Sequence, residues 1–261
     1  MKKIVLAFGI LTVLFYSCEK IEDIESTQAT KDHLFAEQTF NDVGRIVEGA
    51  FLANGINKSY PKYTILDTDS SNADTLVINF GPENILFPNP GGELRKGEIN
   101  ITYTGKYRDS LAVITTTFNN YYVNNNLIQG ERIVANQGRN NQGNMWFTID
   151  VIGSIGSINW NAELTREWVN GNATYYNISD DQYKITGTAS GNAANGNAFN
   201  MEITDALNID LGCLPSCVIK SGKTKITPNG YSDRIINYGD SICDCNIDIT
   251  INGNTYPIVV N

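Results

Sequence analysis

Along "INWNAELTREWV" the side chains alternate with hardly a break. Ile158, Trp160, Ala162, Leu164 and Trp168 share one parity, and Asn159, Asn161, Glu163, Thr165 and Glu167 the other. A period of two places these sets on opposite sides of an extended chain, whereas a helix would scatter both around its circumference. A strand of this kind buries one face and wets the other, the habit of antiparallel sheets. "DTLVINF" repeats the pattern with Leu76, Ile78 and Phe80, and "GEINITYTGKY" with Ile99, Ile101, Tyr103 and Tyr107. In "AVITTTFNNYYV" the faces mix, which predicts a central strand covered in part on both sides.

Turn signals separate these runs at short intervals: Asn124-Asn125-Asn126, Asn170-Gly171, Asn195-Gly196, Asn229-Gly230 and Asn252-Gly253. Such pairs tolerate the positive φ that tight hairpins need. A two-residue turn at Asn252-Gly253 sets Ile249 opposite Tyr256, Ile247 opposite Ile258, and Cys245 opposite Val260. Pro257, which has no N–H to donate, then belongs on an edge strand. "IQGERIVANQGRNNQG", "ITGTASGNAANGNAF" and "IKSGKTKITPNGYS" share a loose plan, a strand with a glycine followed by a turn, as a decayed hairpin repeat would. Only 31–52 carries a helical period, with Leu34, Phe35, Phe40, Val43, Ile46, Val47, Ala50 and Phe51 on one broad face. Thr30 is the expected N-cap, and His33 is expected to be exposed in the first turn. The fold class is therefore all-β: a long antiparallel meander with one N-terminal amphipathic helix packed on it. It forms a single domain over 31–261.

The first residues carry a different kind of information. Met1-Lys2-Lys3 precedes an apolar run, Ile4 to Phe15, of about 12 residues. As a helix that run spans roughly 18 Å against about 30 Å of hydrocarbon, so it suits a signal peptide rather than a membrane span. Ser17-Cys18 stands where cleavage belongs and is similar to a bacterial lipobox, with bulkier residues than usual at Phe15 and Tyr16. Residues 1–17 are thus expected to be removed and Cys18 to carry lipid. Glu19, Glu22, Asp23 and Glu25 follow, and 18–30 reads as an acidic tether. Its "CEKIEDIE" resembles the export signal that sends some Bacteroidota lipoproteins to the outer face of the outer membrane; a periplasm-facing anchor is the alternative.

The whole chain carries 19 basic and 28 acidic side chains, a net charge of −9. An acidic chain without a basic stripe is not built to neutralise phosphates, so nucleic acid is excluded as a partner. The membrane is reached through the lipid alone.

With Cys18 lipidated, four cysteines remain: Cys213, Cys217, Cys243 and Cys245. An even number in an exported chain favours two disulfides. A zinc site and reduced thiols are the alternatives, but C-x₂-C spacing is absent. Cys243 and Cys245 share parity with Ile247 and Ile249, so both are expected on the dry face of that strand. The expected pairing is Cys217–Cys243 and Cys213–Cys245.

Few residues suggest chemistry. Asp67, Asp69, Asn72 and Asp74 offer oxygens at spacings that suit Ca²⁺, although the glycine and terminal glutamate of an EF-hand loop are missing. Asp180-Asp181, Asp240 and Asp244 read as turn residues. A nucleophilic triad would have to use His33, the single histidine. A paired-carboxylate hydrolase needs two acids facing each other in a cleft. Trp146, Trp160 and Trp168 suit a sugar-stacking platform or a core. Thr75, Ser110 and Ser241 each follow an aspartate and precede an aliphatic residue, which is similar to the acceptor of Bacteroidota O-glycosylation. No cofactor is expected.

"RKGEINITYTGKYRDSLAVITTTFNNYYVNNNLIQGER", "YKITGTASG" and "YGDSICDCNIDITING" together resemble a family of uncharacterised Bacteroidota, flavobacterial-type, outer-membrane lipoproteins. The resemblance covers most of 63–261. Ser241 stands where that family has a glycine. It implies an outer-membrane location and transfers no catalytic residue. The expectation is a lipid-anchored, surface-exposed lipoprotein with a non-enzymatic binding or structural role. The more specific alternatives are a glycan binder and a carrier that holds an apolar ligand between helix and sheet.

Overall fold

The computed structural model describes residues 27–52, 59–66, 73–87, 92–174, 177–214 and 216–259. Helix α1 (Gln28–Leu52) is followed by thirteen strands in one antiparallel sheet. They are β1 (Lys62–Leu66), β2 (Asp74–Phe87), β3 (Glu93–Tyr103), β4 (Val113–Val123), β5 (Asn126–Arg139), β6 (Met145–Ile155), β7 (Ile158–Asn170), β8 (Gln182–Asn192), β9 (Ala198–Asp210), β10 (Ile219–Pro228), β11 (Arg234–Asp240), β12 (Asn246–Ile251) and β13 (Asn254–Val259). Each strand pairs with its sequence neighbours, so the sheet is a meander from β1 to β13.

The period of two holds where it was clear. Leu76, Ile78, Phe80, Ile99, Ile101, Trp160, Ala162, Leu164 and Trp168 all point into one core. In β4 the faces mix for a local reason. Ile114 and Thr116 are buried, then the register shifts between Thr117 and Tyr122, and Tyr121 and Val123 resume the core on the opposite parity. Asn120, with φ of +47°, is part of this bulge. An extra residue flips the parity of everything after it, so the expected double coverage of β4 is replaced by one buried face with a kink.

Bulges also explain the glycine-bearing segments. Gly130 in β5, Gly187 in β8 and Gly222 in β10 have φ of +103°, +136° and +122°. A Cβ on each would run into the backbone of a neighbouring strand: Ile152, Glu163 and Ala206 respectively. The register slips beside Gly187 and Gly222. These kinks let a long sheet curl, and the three segments share that device.

The helix lies in the curl. Its contacts run from β3, through Asp42 and Arg95, to the β8–β9 turn, where the Ala194 N–H donates to Asp32 at 2.7 Å. Only a stripe including Lys31, Gln38, Asn41, Arg45 and Gly49 is exposed. Phe40, Val43, Ile46 and Val47 are buried to 5 % exposure or less, each contributing about 1.5–3 kcal/mol. Phe40 stacks on Trp160 at 5.5 Å and rests on Gly153, where a Cβ would collide with its ring. The helix starts earlier than expected. The Thr27 carbonyl accepts from Lys31 N–H, so Thr27 is the N-cap and Thr30 is a buried residue of the first turn.

The final hairpin has the expected register, Ile249 opposite Tyr256 and Ile247 opposite Ile258. Asn252 and Gly253 both take positive φ, as the primed two-residue turn demands. β13 is an edge strand, with Pro257 on it. Val260 lies outside the described residues, and Cys245 precedes β12.

Candidate functional site

The meander has two ends. Odd strands begin and even strands finish at the end where α1 starts, marked by the Ala194–Asp32 contact. Even strands begin at the other end, where Phe51 meets Tyr103. The second end gathers both disulfides and the β3–β4, β7–β8 and β11–β12 loops.

All four inner cysteines are bonded, but as Cys213–Cys243 and Cys217–Cys245. The crossed pairing expected from sequence fails for a topological reason. β10 and β12 both flank β11, so they run in the same direction. The segments leading into them also run in the same direction, and first pairs with first. Cys243 and Cys245 are not on the dry face of the strand: both precede it, and Cys243 is exposed.

The interior of the curl is occupied by side chains. His33 is fully buried, not exposed, and its Nδ1 accepts from the Trp160 indole N–H at 3.1 Å. Phe199 packs edge-on against its ring. Burial pulls its pKa down to about 4. Its Nε2 lies 3.9 Å from Glu37, whose carboxyl is pushed up to about 7, again by burial. Tyr238 on β11 faces Glu37 and Thr224, and burial raises its pKa well above that of a free phenol. Further along the helix the solution is ionic. Asp42 pairs with Arg95, which also binds Glu93 and Tyr121, and Glu48 pairs with Arg166 at 2.7 Å. Arg166 lies over the rings of Tyr107 and Tyr183 at 5.0 and 5.1 Å. The apolar side of α1 is thus packed against rings and aliphatics, in the place where a carrier would hold its ligand. His33 has no access to a substrate, which removes the triad.

The outer face of the sheet carries an open trough of about 830 Å³ across β6 to β10. Register builds it. One row runs Asp150, Glu163, Thr188, Glu202, Lys225, each directly opposite the next. The next row runs Ile152, Asn161, Ser190, Asn200, Thr227. The short side chains of Thr188 and Ser190 form the floor, and longer ones on β7 and β9 form the walls. Like charges directly opposite, as Asp150 and Glu163 are, oppose folding. Both acids are exposed on the open face. Lys225 is held by Asp233 at 2.8 Å, so the trough is acidic and rich in amides and hydroxyls. Ile152 stands in it at 63 % exposure. The alternation identified the wet residues of β7; the rows depend on register across five strands, which no local pattern encodes.

The remaining expectations fall as follows. Trp160 and Trp168 are core residues, and Trp146 is half-buried on the same outer face of β6 as Asp150. Cys18 with its signal and tether, and Asp67, Asp69 and Asn72, lie outside the described residues; Asp74 opens β2 opposite Tyr103. Among the described residues no group of three or more acids, histidines or cysteines is placed to hold a metal ion. Thr75, Ser110 and Ser241 all fall at the disulfide-bearing end, Ser110 and Ser241 exposed and Thr75 half-buried within β2. Asp181 is no simple turn residue: it is buried, accepts from the Tyr183 hydroxyl at 3.3 Å, and burial lifts its pKa to about 6.

No known protein family, curated protein or solved structure matches the chain. Among the described residues no helix is long and apolar enough to cross a membrane.

Proposed function

We propose that this chain is a lipid-anchored lipoprotein on the outer face of the outer membrane, and that it binds a hydroxyl-rich, glycan-type ligand without catalysing a reaction. The observation that carries the binding role is the division of the sheet. Its inner face is taken up by the protein's own helix, while its outer face offers a wide polar trough. Carboxylates accept from sugar hydroxyls, and the amides of Asn161 and Asn200 both donate and accept. An anionic ligand would meet three carboxylates, so the ligand is neutral or cationic. The anchor rests on Lys2-Lys3, the short apolar run and Ser17-Cys18.

The test uses the mature chain with Cys18→Ser on a glycan array, with affinities checked by calorimetry. Ser190→Trp, which fills the floor of the trough, should cut affinity at least tenfold while circular dichroism stays unchanged. Binding that survives Ser190→Trp, or an array on which every class fails, overturns the reading. Protease treatment of intact cells checks the location: a surface protein is cleaved without lysis.

A further inference from the structure

Which way does the molecule stand on its membrane? We propose that the lipid surface meets the end of the sheet where α1 begins, and that the disulfide-bearing end points away from it. This rests on the anchored reading of Cys18.

Three observations converge. The first is reach. Nine residue steps separate Cys18 from Thr27, the N-cap of α1, and a chain of that length spans at most about 32 Å whatever its conformation. The helix has 25 residues and so runs about 37 Å. Its first turn is held at the hairpin tip 193–197 through the Ala194–Asp32 bond, and its last turn sits beside Tyr103 at the opposite end. An inverted molecule would need the tether to run back along the helix, whose length exceeds the tether's contour.

The second is charge. Among the described residues, the tips Asn124-Asn125, Gly156-Ser157, 193–197 and Asn252-Gly253 at the α1 end carry no charge; Lys31, Lys62 and Glu93 stand behind them near the starts of α1, β1 and β3. In 229–233 only Asp233 is charged, and Lys225 holds it. The opposite end carries Lys106, Arg108, Asp109, Asp180, Asp240 and Asp244. The anchored chain, with 17 basic against 28 acidic side chains once Lys2 and Lys3 leave with residues 1–17, has a net charge of −11 and is repelled by an anionic surface, and such repulsion fades within about a Debye length, roughly 8–10 Å. Uncharged asparagine and glycine tips are the part of this molecule that can rest there without that cost.

The third is rigidity. The tips are tight turns between long paired strands; Asn124 and Asn125 both have positive φ in a two-residue connection. They form a set of blunt feet instead of flexible loops. The trough then opens sideways in the half of the molecule nearest the membrane, since Ser190, Asn200 and Thr227 lie within two residues of the strand ends there.

The experiment places a small fluorophore at Ser157→Cys or Asn195→Cys, and at Asn141→Cys on the opposite end, in oxidised protein whose native pairs are closed. The protein, lipidated at Cys18, is bound to phosphatidylcholine vesicles containing a headgroup-nitroxide lipid. Quenching at positions 157 and 195 should exceed that at 141 several-fold. Equal quenching, or more at 141, overturns the orientation. Mass spectrometry of the N-terminus from cells tests the anchor separately. If Cys18 carries no lipid there, the anchored reading fails, while a synthetic maleimide lipid on Cys18 still decides whether the tether and the tips set the orientation.

Discussion

The two halves of α1 are buried to a similar degree and reach that state by opposite means. In the first half, His33 and Glu37 face Trp160, Phe199, Tyr238 and Thr224, and desolvation keeps the imidazole neutral and favours the protonated carboxyl. In the second half, Asp42 and Glu48 face Arg95 and Arg166. The difference lies in the sheet. Inward positions on β3, β5 and β7 hold Arg95, Arg132 and Arg166, whereas beside Glu37 strands β10 and β11 offer the hydroxyls of Thr224 and Tyr238; the inward Arg234 of β11 donates to the Ser232 carbonyl. A glutamate on this helix is protonated or paired according to the strand it meets, and nothing in its own sequence neighbourhood decides which.

Breaking the ionic half should cost most. Removing one partner of a buried pair leaves the other charge uncompensated, at about 3–5 kcal/mol. Arg95→Met removes the buried cation shared by Asp42 and Glu93, leaving Asp42 the half-exposed Arg45, and takes from Tyr121 its bond to the guanidinium. We expect a loss in that range by urea denaturation, and recovery of most of it in the double variant Arg95→Met with Asp42→Leu. A loss below 1 kcal/mol in the single variant would show that the pair is not effectively buried.

The neutral half should reveal itself through pH. Glu37 holds its proton up to about pH 7 when folded and to 4.5 when unfolded. Its contribution is greatest below pH 4.5 and is lost as pH rises through 7. His33, at about 4 folded against 6.5 unfolded, works in reverse: its contribution is full above pH 6.5 and is lost as pH falls through 4. Each slope is about 1.4 kcal/mol per pH unit. Between pH 4.5 and 6.5 they oppose each other, so the pair's contribution in the wild type should be nearly flat. Glu37→Gln should leave stability rising with pH across that window and gain about 3 kcal/mol at pH 8. His33→Gln should leave it falling between pH 4.5 and 7. Urea midpoints of both variants relative to wild type, measured at intervals from pH 4.5 to 8, decide it. Parallel profiles for the three proteins would contradict the neutral assignment.

The same contrast marks how far the sequence can be read. Alternation in β2, β3 and β7 states which face is dry, because burial on one side leaves a period of two. The Asn252-Gly253 turn states its own register, because two residues of positive φ close one kind of hairpin. The bulge in β4 hides the period, since one extra residue at 118–121 inverts parity midway. His33 looked like a helix-start residue because its partners, Trp160 and Phe199, are more than a hundred positions away. The disulfide pairing and the rows of the trough are likewise consequences of strand order, which appears only once the whole sheet is assembled.

The smallest expected effect isolates burial as the cause. Asp42 bonds two arginines, Arg95 inside the curl and Arg45 one turn along the helix at 2.9 Å. Arg95 is fully buried, while the Arg45 side chain is 41 % exposed. An exposed pair three residues apart on a helix gains little, because water screens the charges and the long side chain loses freedom to hold its place. Arg45→Ala should therefore shift stability by about 0.5 kcal/mol or less, against the several expected for Arg95→Met, although both lose a guanidinium from the same carboxylate. The difference should persist in 1 M salt, where the Debye length is about 3 Å and the exposed contribution vanishes while the buried one stays. Comparable losses from the two variants would mean that the ionic half is held by charge alone, and that its enclosure by β3 adds nothing.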